Sequence, residues 1–278
     1  MSELAGKVAL VTGASRGIGR AIALELAAAG CDIMATARDR TALEGVAAEV
    51  CARGRKATIH PADLSADGAT EALVAALQRD FGRLDILVAN AGATKRGGFF
   101  EQSEQEWRDA FELKFFAHVR LCRLAWPLLK AGKGSVVFIA GTSPRAPVAD
   151  AMLGATVVAA MLAFMRALAD LGKRDGVQVN AVNPGSIKTD RFRGRLAKVM
   201  KKTGLDEATA TERHRRDLDI TRFGMPEDIA GLVRFIVSPR GGLFHGAAID
   251  MDGGQVNPLR MSMYDREPGP DGIERNSG

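Results

Sequence analysis

Short runs of consecutive apolar residues alternate along this chain with longer stretches in which Ala, Leu, Ile and Met recur among polar residues. Val8-Ala9-Leu10-Val11 is the first such run, and its unbroken apolar character fits a strand buried on both faces. Further strands are expected at residues 32–36, 56–60, 84–89, 135–140, 177–182 and 247–250. Helical stretches fall between them, at 20–29 with Gly30 as a stop, and at 41–53, 66–81, 104–130, 152–173 and 226–237. Strands that alternate with helices specify a doubly wound parallel sheet of about seven strands, a three-layer αβα Rossmann fold.

In such sheets ligands bind beyond the carboxyl ends of the strands. The polar and glycine punctuation gathers at those ends: Gly13, Arg38, Asp63, Asn90-Ala91-Gly92, Gly141 and Pro184-Gly185. After the first strand comes Thr12-Gly13-Ala14-Ser15-Arg16-Gly17-Ile18-Gly19, and then the first helix. A glycine turn in that context lets backbone approach a pyrophosphate and aims the free N–H groups of the helix at it. The tip of the second strand reads Ala37-Arg38-Asp39. An acidic residue there would bind a ribose 2′-hydroxyl, whereas Arg accommodates a 2′-phosphate, so Arg38 and Arg16 favour NADP(H) over NAD(H). The competing reading is two solvated surface arginines.

At 278 residues the chain can bury one sizeable core, and residues 1–258 are expected to form a single nucleotide-binding domain. Residues 259–278 form a polar tail rich in Pro and Gly, either disordered or clasping a neighbouring subunit. Cys31, Cys51 and Cys122 show no metal or disulfide spacing, which points to no metal and a reducing compartment. No basic leader precedes the first strand and no stretch approaches membrane-spanning length, so the cytoplasm is the expected location and no membrane partner is expected.

The ordered motifs resemble those of the short-chain dehydrogenase/reductase family of single-domain Rossmann type. Thr12 to Gly19 resembles its TGxxxGIG turn, Asp63-Leu64 its adenine-contacting pair, and Asn90-Ala91-Gly92 its NAG motif. Asn180 to Gly185 resembles its N-x-x-x-P-G stretch, followed by Ile187 and by Thr189, the threonine that reaches the nicotinamide carboxamide. Gly224-x-Pro226-Glu227-Asp228-Ile229-Ala230 and Asp252-Gly253-Gly254 resemble its C-terminal signatures. The resemblance implies cofactor contacts from Gly13, Ser15, Arg16, Gly17, Ile18, Gly19, Arg38, Asp63, Leu64, Asn90, Ala91, Gly92, Pro184, Gly185, Ile187 and Thr189. It also implies a homo-oligomer, dimer or tetramer, in which the long helices at 104–130 and 152–173 pair between subunits.

Catalysis in that family uses Asn, Ser, Tyr and Lys, and here the chain departs from the pattern. On an ungapped register the serine position is Gly141, the tyrosine position Gly154, the lysine position Val158 and the asparagine position Lys114; the only tyrosine in the chain is Tyr264. Gly154 and Val158 should leave a wider, more apolar space beside the nicotinamide. Lys114 is the first candidate for a substitute proton donor, and Thr142 and Ser143 could orient a substrate oxygen. His118 shares the Lys114 helix face at i+4, and Lys95 and Arg96 are candidates for the pocket mouth. Lys114 pairing with Glu112 or with a carboxylate at a helix interface is the bland alternative.

Between Lys188 and Arg222 eleven basic residues face six acidic ones, a local excess equal to the net charge of +5 for the whole chain. The resemblance makes this segment a substrate lid, and a basic lid favours a small, anionic substrate, unless it is simply an amphipathic, solvated helical flap. Nucleic acid is not expected, for want of a recognition motif or an aromatic platform. Three functions remain open: an NADP(H)-dependent oxidoreductase with an atypical site, a non-redox enzyme on the same scaffold, or a noncatalytic NADP(H)-binding protein.

Overall fold

In a computed structural model of the chain, residues 3–92 and 94–256 are described. Tyr264 and the expected tail at 259–278 lie outside them. Seven strands form one parallel sheet: β1 (Val8–Thr12), β2 (Asp32–Ala37), β3 (Ala57–Pro61), β4 (Ile86–Ala89), β5 (Ser135–Ile139), β6 (Gln178–Pro184) and β7 (Ala248–Met251). Their spatial order is β3-β2-β1-β4-β5-β6-β7, so the winding reverses between β1 and β4. The carboxyl ends of these two strands flank the crevice where ligands of open α/β sheets bind.

Successive residues of a strand point to opposite faces, and both faces here are apolar. Ala9, Val11, Ile33, Ile86, Val88 and Val137 meet one helical layer, made by α1 (Gly17–Ala28), α2 (Arg40–Cys51) and α9 (Pro226–Val237). Val8, Leu10, Met34, Leu87, Val136 and Phe138 meet the other, made by α3 (Ala69–Phe81), α5 (Ala117–Ala131) and α6 (Met152–Asp175). The expected three-layer αβα architecture is therefore the observed one.

Two local features differ from the sequence reading, and the basic segment adds detail to it. The helix expected across 104–130 is α4 (Glu104–Phe111) and α5 joined by a turn of π-helix, Glu112–Phe116. The basic segment after β6 folds into two helices, α7 (Asp190–Thr203) and α8 (Glu207–Leu218), around a small cluster of Phe192, Leu196, Ala210, Ile220 and Phe223. Against the expectation that no stretch approaches membrane-spanning length, Ala149–Asp175 has that length and contains an 18-residue window of mean hydropathy 1.9. Its apolar character has a structural cause, because Leu153, Val157, Val158, Met161, Met165 and Leu168 are buried along α6.

Candidate active site

The phosphate turn is built by hydrogen bonds between the ends of β1 and β4. Asn90 Nδ2 donates to Thr12 O at 2.8 Å, and Thr12 Oγ1 accepts from the Asn90 and Ala91 N–H groups, each at 2.9 Å. Thr12 in turn donates to Val88 O at 3.2 Å. Gly13 has φ +65°, and a Cβ added there would sit 2.9 Å from Asn90 Nδ2, so both conformation and space call for glycine. A Cβ on Gly17 would lie 3.3 Å from Thr189 Cγ2, which places the start of α1 against the loop that leads into α7. Arg16, at the N-cap of α1, is exposed, and no side-chain cap occupies the helix start.

Arg38 follows β2 with its side chain 74% exposed, and its guanidinium stands 3.8 Å from Asp63 Oδ2. Asp63 accepts from the Ser65 N–H and hydroxyl, and these bonds, chiefly the hydroxyl, hold its carboxyl below the usual carboxylate range. Leu64 is buried beside it. On the far side, Gly185 N donates to Met251 O at 3.0 Å, and Gly185 lies so close to Asp252 that a Cβ would come within 2.6 Å of its Cα. Ser15 and Ile18 are half-buried in the turn, and Ile187, buried, bridges to Gly224. The expected cofactor residues thus line one continuous edge of the sheet, and the glycine cradle between β1 and α1 fits a dinucleotide pyrophosphate.

Beyond the Asn90-Ala91-Gly92 loop lies the region where catalysis was sought. Lys114 sits in the π-helical turn, a helix irregularity often found at functional sites. Its stem packs on Gly92, where an added Cβ would be 3.0 Å from Lys114 Cγ, and its Nζ donates to Ala140 O at 3.3 Å, at the end of β5. Glu112 does not pair with it but binds Arg120 at 2.5 Å. Dense surroundings, and secondarily the charge of Arg191, lower the Lys114 pKa from 10.5 to about 8. His118 is buried; Lys114 O lies 3.1 Å from its Nδ1, and burial followed by the Lys114 charge pushes its pKa down to about 4. It is a neutral ring packed edge-on to Phe138, not a second proton donor.

The positions that the resemblance marks as catalytic do converge. Gly141 immediately follows Ala140, and a Cβ on it would meet Val158 Cγ2 at 4.0 Å. Gly154 lies one helical turn before Val158 on α6, and a Cβ there would come within 3.0 Å of Thr94 Oγ1. The Thr94 hydroxyl therefore stands over Gly154 and narrows the space expected there. Nearby, Met152 at the start of α6 is 36% exposed, and Arg145 pairs with Asp250 at 2.6 Å. Thr142 is buried and Ser143 half-buried in the turn after β5, and neither hydroxyl makes a hydrogen bond among the described residues. Lys95 and Arg96 are held at the rim by Glu106 at 2.8 Å and Asp150 at 3.1 Å.

Two residues that sequence reasoning passed over take part in this geometry. Thr94 carried no signal, since its importance arises only from the approach of the loop after β4 to the start of α6. Arg191 appeared only within the summed lid charge, yet its Nη2 donates to Gly92 O at 3.3 Å. It thereby reaches the same glycine that supports Lys114.

Comparison with known proteins agrees with this layout. The family model described as short chain dehydrogenase matches residues 7–199. An uncharacterised oxidoreductase of Mycobacterium tuberculosis is 34% identical over 260 residues, covering 93% of this chain and 95% of its own length. A 3-oxoacyl-[acyl-carrier-protein] reductase of Synechocystis is 31% identical, covering 92% and 99%. Among solved structures, L-sorbose reductase of Gluconobacter frateurii, complexed with NADPH and L-sorbose, superposes with a TM-score of 0.88 at 30% identity, covering 92% of this chain and 99% of its own. With the glycine cradle, the β1–β4 crevice and these relatives in agreement, the chain belongs to the short chain dehydrogenase family, a family of NAD(P)-dependent oxidoreductases.

Proposed function

We propose that this protein is an NADP(H)-dependent oxidoreductase acting on the carbonyl/alcohol pair of a small molecule, through an atypical site that lacks the Ser-Tyr-Lys triad. When bound, NADPH would supply the hydride. Lys114 supplies the proton to the substrate oxygen, and in the reverse direction its neutral amine takes the proton from the alcohol. The observation that carries this reading is the placement of Lys114 Nζ on Ala140 O beside Gly141, with a pKa lowered to about 8. A group that titrates near neutrality can both give and recover a proton. His118 accompanies it by donating from Nδ1 to Lys114 O, which holds the π-helical turn in place.

Preference for NADP(H) follows from the exposed guanidinium of Arg38 and is supported by the NADPH complex of the sorbose reductase. A homodimer or homotetramer suits the exposed Phe116, which lies beside Trp107 and Phe111 on a groove of the α4–α5 side. Three free cysteines suit a reducing, cytoplasmic setting. The alternative of a noncatalytic NADP(H)-binding protein draws on one observation, that Thr94 stands over Gly154 where the family places its acid.

Two measurements test this reading. Calorimetry should give tighter binding of NADPH than of NADH, and Arg38→Asp should weaken NADPH by about 10- to 100-fold through loss of a charge-assisted contact to the 2′-phosphate. Equal affinity for NADH in the parent protein would reject the NADP(H) assignment. A panel of ketones and aldehydes should then reveal at least one that consumes bound NADPH, and tight cofactor binding without turnover would favour the noncatalytic alternative.

A further inference from the structure

The lid brings positive charge to the mouth of the site without matching carboxylates. Arg191 reaches Gly92 O, and the Lys114 stem lies against the same glycine, so two cations share one support. Four residues further along α7, Arg195 lies on the same helix face as Arg191. Across the opening, Arg96 pairs with Asp150, and Gly97 N donates to Asp150 O at 3.0 Å, which pins the loop after β4 to the turn before α6. Arg195 feels all three of these charges: beyond burial, Arg96 and Arg191 lower its pKa while Asp150 opposes them. Four cationic side chains thus face one carboxylate, and among the described residues Lys114, Arg191 and Arg195 form no ion pair.

Four other arginines on the lid do not share this property. Arg193 pairs with Asp190, Arg215 and Arg216 pair with Glu212, and Arg222 grips Asp228 through two bonds of 2.6 and 2.8 Å. Lys188, Lys198, Lys201, Lys202 and Arg213 also form no ion pair among the described residues, but Arg191 is the lid cation held on Gly92 O, and Arg195 is the one whose charge couples to Arg191, Arg96 and Asp150. Like charges held together repel, and a bound anion relieves that repulsion while guanidinium groups offer it paired donors.

We propose that Arg191 and Arg195, with Arg96 and Lys114 around them, form a subsite for an oxyanionic group carried by the substrate, a carboxylate or a phosphate monoester. The inference rests on the reading that substrate lies between the lid and Gly141, and it names the class of substrate for that site. Arg191 and Arg195 bind the oxyanion at the mouth, leaving the carbonyl end of the molecule to reach Lys114. The arginines keep contact with solvent, so the expected gain is moderate and falls as salt is raised.

The test uses the full chain saturated with NADP+, which cannot reduce a ketone, titrated with levulinate, methyl levulinate and a ketone of matched length bearing a phosphate monoester. At low salt at least one of the two anions should bind about ten-fold or more tightly than the neutral ester, and whichever binds more tightly identifies the group. Arg191→Met and Arg195→Met should each erase most of that preference, whereas Arg193→Met, on the opposite side of the same helix and paired with Asp190, should retain it. Equal binding of ester and anions, or equal loss in the Arg193 variant, would overturn the proposal. So would displacement of the anions by NADPH, which would assign the arginines to the cofactor phosphates. Because binding is read without turnover, the outcomes separate: anion preference without cofactor oxidation removes the redox reading and leaves the subsite, while turnover without anion preference does the reverse.

Discussion

Lys114→Met should reduce turnover by about 10²- to 10⁴-fold, the range for removing a positioned general acid, while NADPH binding stays near that of the parent protein. Methionine keeps an unbranched stem to pack on Gly92, so the support that Lys114 gives to the loop after β4 is largely retained. What disappears is the ammonium beside Ala140 O. Burial already weakens that charge, as its lowered pKa records, so removing it should leave thermal stability unchanged or slightly raised. A lysine with only a structural role would give the opposite pattern, a lower melting temperature with turnover intact. Steady-state rates, cofactor calorimetry and thermal unfolding of the same variant distinguish the two.

Gly19→Ala should both destabilise the fold and abolish most cofactor binding. A Cβ at this position would run into Gly13 O and lie 2.5 Å from Asn90 Nδ2 and 2.9 Å from Gly13 C. Two of the three neighbours are backbone atoms of the phosphate turn, and the third is the amide that fixes that turn to β4. None is the free end of a flexible side chain, so the turn itself has to move. Overpacking of this kind costs about 1–3 kcal/mol, and displacement of the turn should weaken NADPH by about 100-fold or more. Gly45→Ala is the natural control, because no atom lies within 4 Å of its added Cβ in the interior of α2. That substitution should stabilise by about 0.5–1 kcal/mol through helix propensity alone.

The fold was legible in the sequence because its strands are buried on both faces, which gives unbroken apolar runs such as 8–11 and 136–139. The cofactor edge was legible because close backbone approach demands glycine at Gly13 and Gly19, and those demands appear as a motif. Helix irregularity was not: residues 104–130 carry continuous helical patterning, and the π-helical turn at Glu112–Phe116 arises from how two helices meet the sheet. The lid showed its charge but not its pairing. Glu212 and Asp228 neutralise part of it, whereas Arg191 and Arg195 are left facing the site. The apolar length of α6, read as falling short of a membrane span, reflects a face pressed on the sheet. Thr94 over Gly154 is a purely tertiary event, whereas Lys114 carried a sequence signal and its Nζ lies on Ala140 O.

The central claim is that Lys114 is the acid for hydride transfer, and its most direct test is the pH dependence of ketone reduction at saturating NADPH. Because the ammonium is the donating form and its pKa is lowered to about 8, the rate should be level below that pH and fall about ten-fold per unit above it. This descending limb should vanish, along with most of the rate, in Lys114→Met. A rate that stays flat through that range, an unchanged profile in the variant, or no reduction of any ketone by cofactor-loaded protein would contradict the account.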